Sequence, residues 1–239
     1  HSRSRRQRQM CIRDRNRIMV DAISDLLLIP SDDAKENLLK EKVSSDKIHN
    51  VGNIMIDTLF KNKSKITNNS ENIKNSLNID KPYFVITLHR PSNLNDDTLK
   101  DIFEAIGNFT QDYQVILPAH PRLKNYIDNN NIELTNIAVI DPLSYIDFMS
   151  LVYGCELVLT DSGGIQEETT YLGINCLTLR EETERPITVQ EGTNKVIGTD
   201  KENIINEINN VLGSKISNEA KIKYWDGETS DRIFQILFG

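Results

Sequence analysis

Five short apolar runs of this 239-residue chain lead directly into residues that can hold an anion or move a proton. Tyr83–Leu88 runs into His89-Arg90-Pro91-Ser92-Asn93, and Gln114–Leu117 into Pro118-Ala119-His120-Pro121-Arg122. Ile137–Ile140 runs into Asp141-Pro142-Leu143-Ser144, Glu156–Thr160 into Asp161-Ser162-Gly163-Gly164, and Asn175–Leu179 into a run from Arg180 through Glu184 and Arg185 to Pro186. The most specific of these is Asp161-Ser162-Gly163-Gly164-Ile165-Gln166-Glu167-Glu168, where a strand turns through two glycines into a helix. Glycine lets the backbone approach an anion with no Cβ in the way, and the free N–H groups of a helix's first turn point at it. Such a turn is a phosphate cradle. Its spacing is neither a Walker loop nor a G-x-G-x-x-G fingerprint, so triphosphate hydrolysis and nicotinamide binding lose support. Glu168, about one turn into the helix, is placed to accept hydrogen bonds from a ribose diol, and Arg185 to offset diphosphate charge. The blander reading makes Gly163-Gly164 a tight turn only and Glu168 a helix-dipole residue. Four further polar loops on the same edge weigh against it.

His89 and His120 each follow a strand and precede a turn containing Pro or Asn, which sets them at a crevice instead of in a core. Phe148, three residues after Tyr145 in a helical segment, is placed either to stack on a base or to fill the core, and periodicity does not separate the two.

These loops need a frame to converge. The apolar runs above, with Leu26–Ile29, Lys47–Val51 and Asn194–Ile197, read as buried strands of a parallel sheet. Between them Asp97–Phe109, Tyr145–Tyr153, Ile165–Leu172 and Asp200–Leu212 place apolar residues three and four apart, as helices covering a sheet do. The alternation predicts an α/β, Rossmann-like doubly wound parallel sheet, whose ligands sit beyond the carboxyl ends of the strands. A boundary is expected near Gly52 and Asn53, followed by a polar, Asn- and Lys-rich linker helix and loop over Lys61 to Asp80. Residues 16–52, with two strands and the helix Asp32–Lys42, are too little to close a domain and read as the remnant of one. Residues 53–225 form the main domain, and 226–239 a C-terminal helix with an apolar face for a domain that is missing.

The net charge of −7 conceals two compositions. The first 17 residues hold seven Arg against one acid, and removing their net +6 leaves the remainder at −13. Residues 1–15 have no aromatic interleaving, and the acidic remainder would repel phosphate backbones, so nucleic-acid binding is not expected. The segment reads as non-native or disordered, and no apolar stretch comes after it as in a signal peptide. No apolar run approaches the roughly 18 residues of a membrane helix. Cys11, Cys155 and Cys176 are odd in number and widely spaced, without metal-ligand intervals, which suits a reduced, cytoplasmic compartment.

In series, Thr87-Leu88-His89-Arg90-Pro91-Ser92-Asn93, His120-Pro121-Arg122, Thr160 through Glu168, Leu179-Arg180 with Thr183-Glu184-Arg185-Pro186, and Gly192-Thr193-Asn194 resemble the non-hydrolysing UDP-N-acetylglucosamine 2-epimerases. The resemblance runs from about Asn16 to the C-terminus. It implies the C-terminal half of a GT-B-type two-domain fold, a homodimer when full length, and neither metal nor redox cofactor. It implies UDP contacts from His89, the backbone near Leu143, Phe148 beneath the uracil, Ser162, Gly163 and Gly164 at the phosphates, Glu168 at the ribose, and Arg185. His89 would also stand near the chemistry, as the catalytic candidate. Arg90 and His120 are left for a structural or allosteric role. The implied reaction interconverts UDP-GlcNAc and UDP-ManNAc for cell-surface polysaccharide precursors, eliminating UDP to 2-acetamidoglucal and adding it back on the other face. The family's acid–base carboxylates belong to the other domain. Of a Pro-Glu-Glu-x-Asn-Arg-like motif only Asn16 and Arg17 match here, so this chain is expected to bind UDP without turning over. Pro91-Ser92 stands where the family commonly has Arg-Glu, which leaves a second, allosteric UDP-sugar site open. A hydrolysing epimerase, a GT-B glycosyltransferase and a nucleotide-binding module without chemistry remain as alternatives.

Overall fold

Strands buried on both faces need near-continuous apolar residues; of the six strands in the main sheet the inner ones meet that requirement, while the edge strands carry exposed Ala138 and Lys195. In the computed structural model the six are β3 (Tyr83–Thr87), β4 (Gln114–Pro118), β5 (Ile137–Ile140), β6 (Leu157–Thr160), β7 (Cys176–Thr178) and β8 (Asn194–Val196). All their pairings are parallel, and the spatial order is β5-β4-β3-β6-β7-β8. The structure describes residues 15–130, 132, 134–213 and 221–239; the basic run before Arg15, with Cys11, lies outside them.

The period of two along each strand divides the core. Phe84 and Ile86 of β3, Val115 and Leu117 of β4, and Leu157 and Leu159 of β6 face one layer. There they pack with α3 (Asp96–Gly107), α4 (Pro121–Asn129) and α8 (Lys201–Leu212), through Leu99, Ile102, Leu123, Ile204 and Ile208. Tyr83, Val85, Ile116 and Val158 face the other layer, against α2 (Ile54–Ser76) and α5 (Tyr145–Tyr153). Helix starts are fixed locally: Asn95, Ser144 and Asp200 each accept a backbone N–H from the first turn of the next helix.

The stretch expected to be a linker helix and loop is a helix and a loop, but the helix starts already at Ile54, runs 23 residues to Ser76 and packs on the sheet. Its inward positions Leu59, Lys63, Ile66, Ser70, Ile73 and Leu77 alternate three and four apart. Lys63 extends its ammonium over the Tyr171 ring at 5.7 Å, and Ser70 fits because its neighbour is Gly154, where a Cβ would lie 3.0 Å from the Ser70 hydroxyl.

The described chain divides into two compact units, Thr58–Ile222 holding the six-stranded sheet, and the segment up to Asp57 together with Lys223–Gly239. The smaller unit pairs β1 (Leu27–Ile29) in parallel with β2 (Ile48–Asn50) over Leu38 of α1 (Asp32–Lys40). It is closed by the far end of the chain. The indole of Trp225 donates to the Pro30 carbonyl at 3.0 Å. The Asp57 carboxylate accepts the first N–H groups of α9 (Thr229–Phe238), from Thr229 at 3.1 Å and Ser230 at 2.8 Å. Gly52 sits at φ +92°, and a Cβ there would meet the Tyr224 carbonyl at 2.1 Å. Residues 16–52 and the last helix, read separately from the sequence, thus belong to one compact unit.

Among the described residues no helix is long and apolar enough to cross a membrane.

Candidate functional site

The chain runs outward through β3, β4 and β5, then returns to place β6 on the free side of β3. The order reverses there, so the crevice beyond the carboxyl ends lies between these two strands. Their last residues, Thr87 and Thr160, are register partners whose hydroxyls are hydrogen-bonded at 2.6 Å. Immediately past them, the turn at His89 and the turn at Asp161 stand side by side.

Asp161 joins them. Its carboxylate is fully buried and accepts three N–H donors from the β3 turn, the backbone of His89 at 3.1 Å, the backbone of Arg90 at 2.9 Å and the Asn93 amide at 3.3 Å, while Nδ1 of the His89 imidazole lies 2.8 Å away. Asn93, itself buried, also donates to the Leu179 carbonyl at the end of β7, at 3.0 Å. Arg90 returns the tie by donating its Nε to the Asp161 carbonyl at 3.0 Å. Three strand ends are thereby held in one hydrogen-bonded group.

The second turn opens α6 (Gly163–Leu172). Ser162 at the N-cap is extended, φ −88° and ψ 130°, and leaves the first turn without a side-chain cap. A Cβ on Gly163 would meet no atom within 4 Å, so the space in front of this helix start is open. The interior of α6 is unusually polar, with Gln166, Glu167, Glu168, Thr169 and Thr170 all buried. Each acid there has a partner. Glu167 pairs with Arg185, whose Nε is 2.9 Å from its carboxylate. Glu168 accepts the Tyr145 hydroxyl at 3.0 Å. Burial pushes the Glu168 carboxyl up from an ordinary 4.5 to about 7, against the lowering effect of that hydrogen bond. The same burial, with the Glu168 carboxylate alongside, pushes the Tyr145 phenol well above its usual range. Gln166 accepts from the Thr183 hydroxyl at 2.6 Å and from Asn194 at 3.1 Å, tying α6 to the Arg180–Arg185 loop and to β8.

At the rim, Glu184 lies 3.4 Å from the Arg90 guanidinium and 3.1 Å from that of Arg180. Burial alone would raise its carboxyl, but Arg180 and Arg90 together bring it below the ordinary value.

Of the residues singled out by sequence, His89 and Arg90 share one mouth with Ser162 and Gly163, through the Asp161 tie. Glu168 is bound to Tyr145 of α5, and Arg185 to Glu167 of α6, in the same unit. His120 stands apart, as the N-cap of α4 with its Nδ1 accepting from the Arg122 backbone at 3.3 Å. Leu143 and Phe148 are partly buried and pack on the α2–α5 side of the core. Asp161, Tyr145, Glu167 and Arg180 had no role assigned from sequence. Asp161 was detectable, since an acid ending an apolar strand must find donors in the adjoining loops. The others depend on packing between distant elements.

The sequence model of the family described as UDP-N-acetylglucosamine 2-epimerase matches residues 2–238. A UDP-N-acetylglucosamine 2-epimerase of Methanocaldococcus jannaschii is 39% identical over 233 residues, covering 93% of this chain and 63% of its own length. One of Methanococcus maripaludis is 36% identical over 238 residues, covering 94% of this chain and 63% of its own. The crystal structure of the M. jannaschii UDP-GlcNAc 2-epimerase in complex with UDP-GlcNAc and UDP matches with a TM-score of 0.81 at 38% identity, over 93% of this chain and 63% of that one. The chain thus spans 63% of the length of these relatives.

Proposed function

The chain belongs to the UDP-N-acetylglucosamine 2-epimerase family, and from that membership we propose that it supplies the UDP-holding face of an enzyme interconverting UDP-GlcNAc and UDP-ManNAc. The observation that carries this reading is the Asp161 tie, which brings the His89 turn and the open start of α6 together at the reversal of strand order. Ser162, Gly163 and Gly164 then receive the diphosphate on backbone N–H groups, with Arg185 and His89 beside it. Glu168 accepts the ribose diol, Leu143 offers its backbone, and Phe148 lies beneath the uracil.

The sugar's C2 proton has no adjacent carbonyl and is barely acidic, so its removal must be coupled to departure of a stabilised leaving group. Gripping UDP supplies that stabilisation and keeps the nucleotide in place for re-addition on the opposite face. The family resemblance puts the acid–base carboxylates in the other domain, and those buried on this edge serve binding and positioning: Asp161 at the His89 turn, Glu167 at Arg185, Glu168 at Tyr145 and the ribose. This chain alone is therefore expected to bind UDP and to form no UDP-N-acetylmannosamine. On this reading the whole protein works in the cytoplasm as a homodimer serving polysaccharide precursor synthesis; the free thiols Cys155 and Cys176 suit a reduced compartment.

Titration calorimetry of the folded chain with UDP tests the grip: weak, saturable binding is expected, and its absence overturns the reading. Product analysis of a form spanning the relatives' full length, run in D2O, tests the chemistry. Deuterium at C2 of a UDP-ManNAc product is expected; free N-acetylmannosamine would point to the hydrolysing alternative.

A further inference from the structure

A carboxylate offers only lone pairs, so one set against a neutral imidazole decides which of the ring nitrogens carries the proton. Asp161 is in that position. One of its oxygens takes the Arg90 backbone N–H and the Asn93 amide, at 2.9 and 3.3 Å. The other faces His89 Nδ1 at 2.8 Å, and the two share the His89 backbone N–H at 3.1 Å each. The His89 side chain is 52% exposed, so the ring is held by one edge and open at the other.

We propose that Asp161 is a positioning residue that fixes His89 in the Nδ1–H tautomer and leaves Nε2 unprotonated on the open side of the ring. A free neutral imidazole carries its proton on either nitrogen; here the carboxylate has only lone pairs to present and selects the donor at Nδ1. It also offsets the charge when Nε2 takes up a proton, in the way a carboxylate supports a catalytic imidazole elsewhere. Resting on the UDP-binding reading above, the inference makes Nε2 the atom that His89 offers to the nucleotide sugar, as an acceptor of a hydrogen bond or a proton. The main-chain ties of His89 and Arg90 to the same carboxylate hold the turn that carries the ring beside it.

Asp161→Asn separates this role from plain scaffolding. The asparagine oxygen is best placed where Arg90 and Asn93 both donate, because an NH2 there would face two donors. The NH2 then faces His89 Nδ1, which must become an acceptor, and the proton moves to Nε2.

The experiment is long-range 15N–1H correlation of the 15N-histidine-labelled chain, without ligand, at mildly alkaline pH where an imidazole is neutral. The chain has four histidines, and the His89 signals are assigned by their loss in His89→Gln. The pyrrole-type nitrogen is expected at Nδ1 in the parent chain and at Nε2 in D161N. Either an Nε2–H tautomer in the parent chain or an unchanged tautomer in folded D161N overturns the proposal. If D161N does not fold, the parent spectrum decides alone. Added UDP is expected to move the Nε2 signal. An unmoved signal with the Nδ1–H tautomer intact removes the ligand reading of the mouth and leaves the positioning role standing.

Discussion

Nucleotide-sugar affinity should rise with pH through neutrality, with Glu168 as the cause. Its carboxyl is 4% exposed, and burial holds it at about 7 instead of 4.5. A ribose diol donates hydrogen bonds and prefers the ionised acceptor, so binding draws on the deprotonated fraction of the chain. That fraction is roughly one in eleven at about pH 6 and ten in eleven at about pH 8, so the dissociation constant should tighten about tenfold between them. Below neutrality each binding event should release a proton, and above it none. UDP-GlcNAc is the ligand of choice, since its diphosphate is a diester and does not titrate in this window. Calorimetry in buffers of different ionisation enthalpy reads the affinity and the proton together. Glu168→Gln should bind a few-fold more weakly than the parent at about pH 8 and show a flat profile, having no proton to lose. An imidazolium gripping the diphosphate would tilt the profile the opposite way, so the sign identifies the group. A flat or falling profile in the parent chain, or a rising one kept by E168Q, refutes the assignment.

Arg185→Ala and Ser162→Trp should each weaken UDP binding several-fold by calorimetry; Arg185→Ala should also cost up to about 1 kcal/mol in denaturant unfolding, because the half-exposed Arg185–Glu167 ion pair is lost. Phe84→Ala should cost roughly 3–5 kcal/mol in the same assay, since the ring is fully buried and stacked on Tyr113 at 4.6 Å. Gly52→Val adds a branched side chain at a positive φ where the Tyr224 carbonyl leaves no room. Trp225, the chain's single tryptophan, should then emit to the red at lower denaturant, while far-ultraviolet dichroism keeps its midpoint; a parallel fall of both would show that the two units do not unfold separately.

The parallel sheet was legible because burial on both faces forces near-continuous apolar runs, and each expected strand is present within a residue or two of its expected bounds. The loops were legible for the same reason, since each begins where one of those runs stops. Helix α2 was not: the positions it turns inward include Lys63 and Ser70, and a three–four alternation interrupted by a cation and a hydroxyl resembles a solvated linker. What makes them acceptable, an aromatic ring over one and a glycine opposite the other, comes from α6 and the end of α5, about 80 to 110 positions away. At the site, residue type announced His89, Glu168 and Arg185, whereas the partners that hold them depend on which loops become neighbours. Strand order decides that, and no single segment encodes it.

The Asp57 carboxylate that starts the last helix and the Pro30 carbonyl that anchors Trp225 belong to the first part of the chain, while the groups they hold lie 172 and 195 positions later. A ribosome therefore releases every strand of the large sheet before the small unit has all its pieces. Residues 58–222 are free to fold before the C-terminal segment that closes the small unit has been made. Closure of the small unit is bound to be the late event in the life of each new molecule.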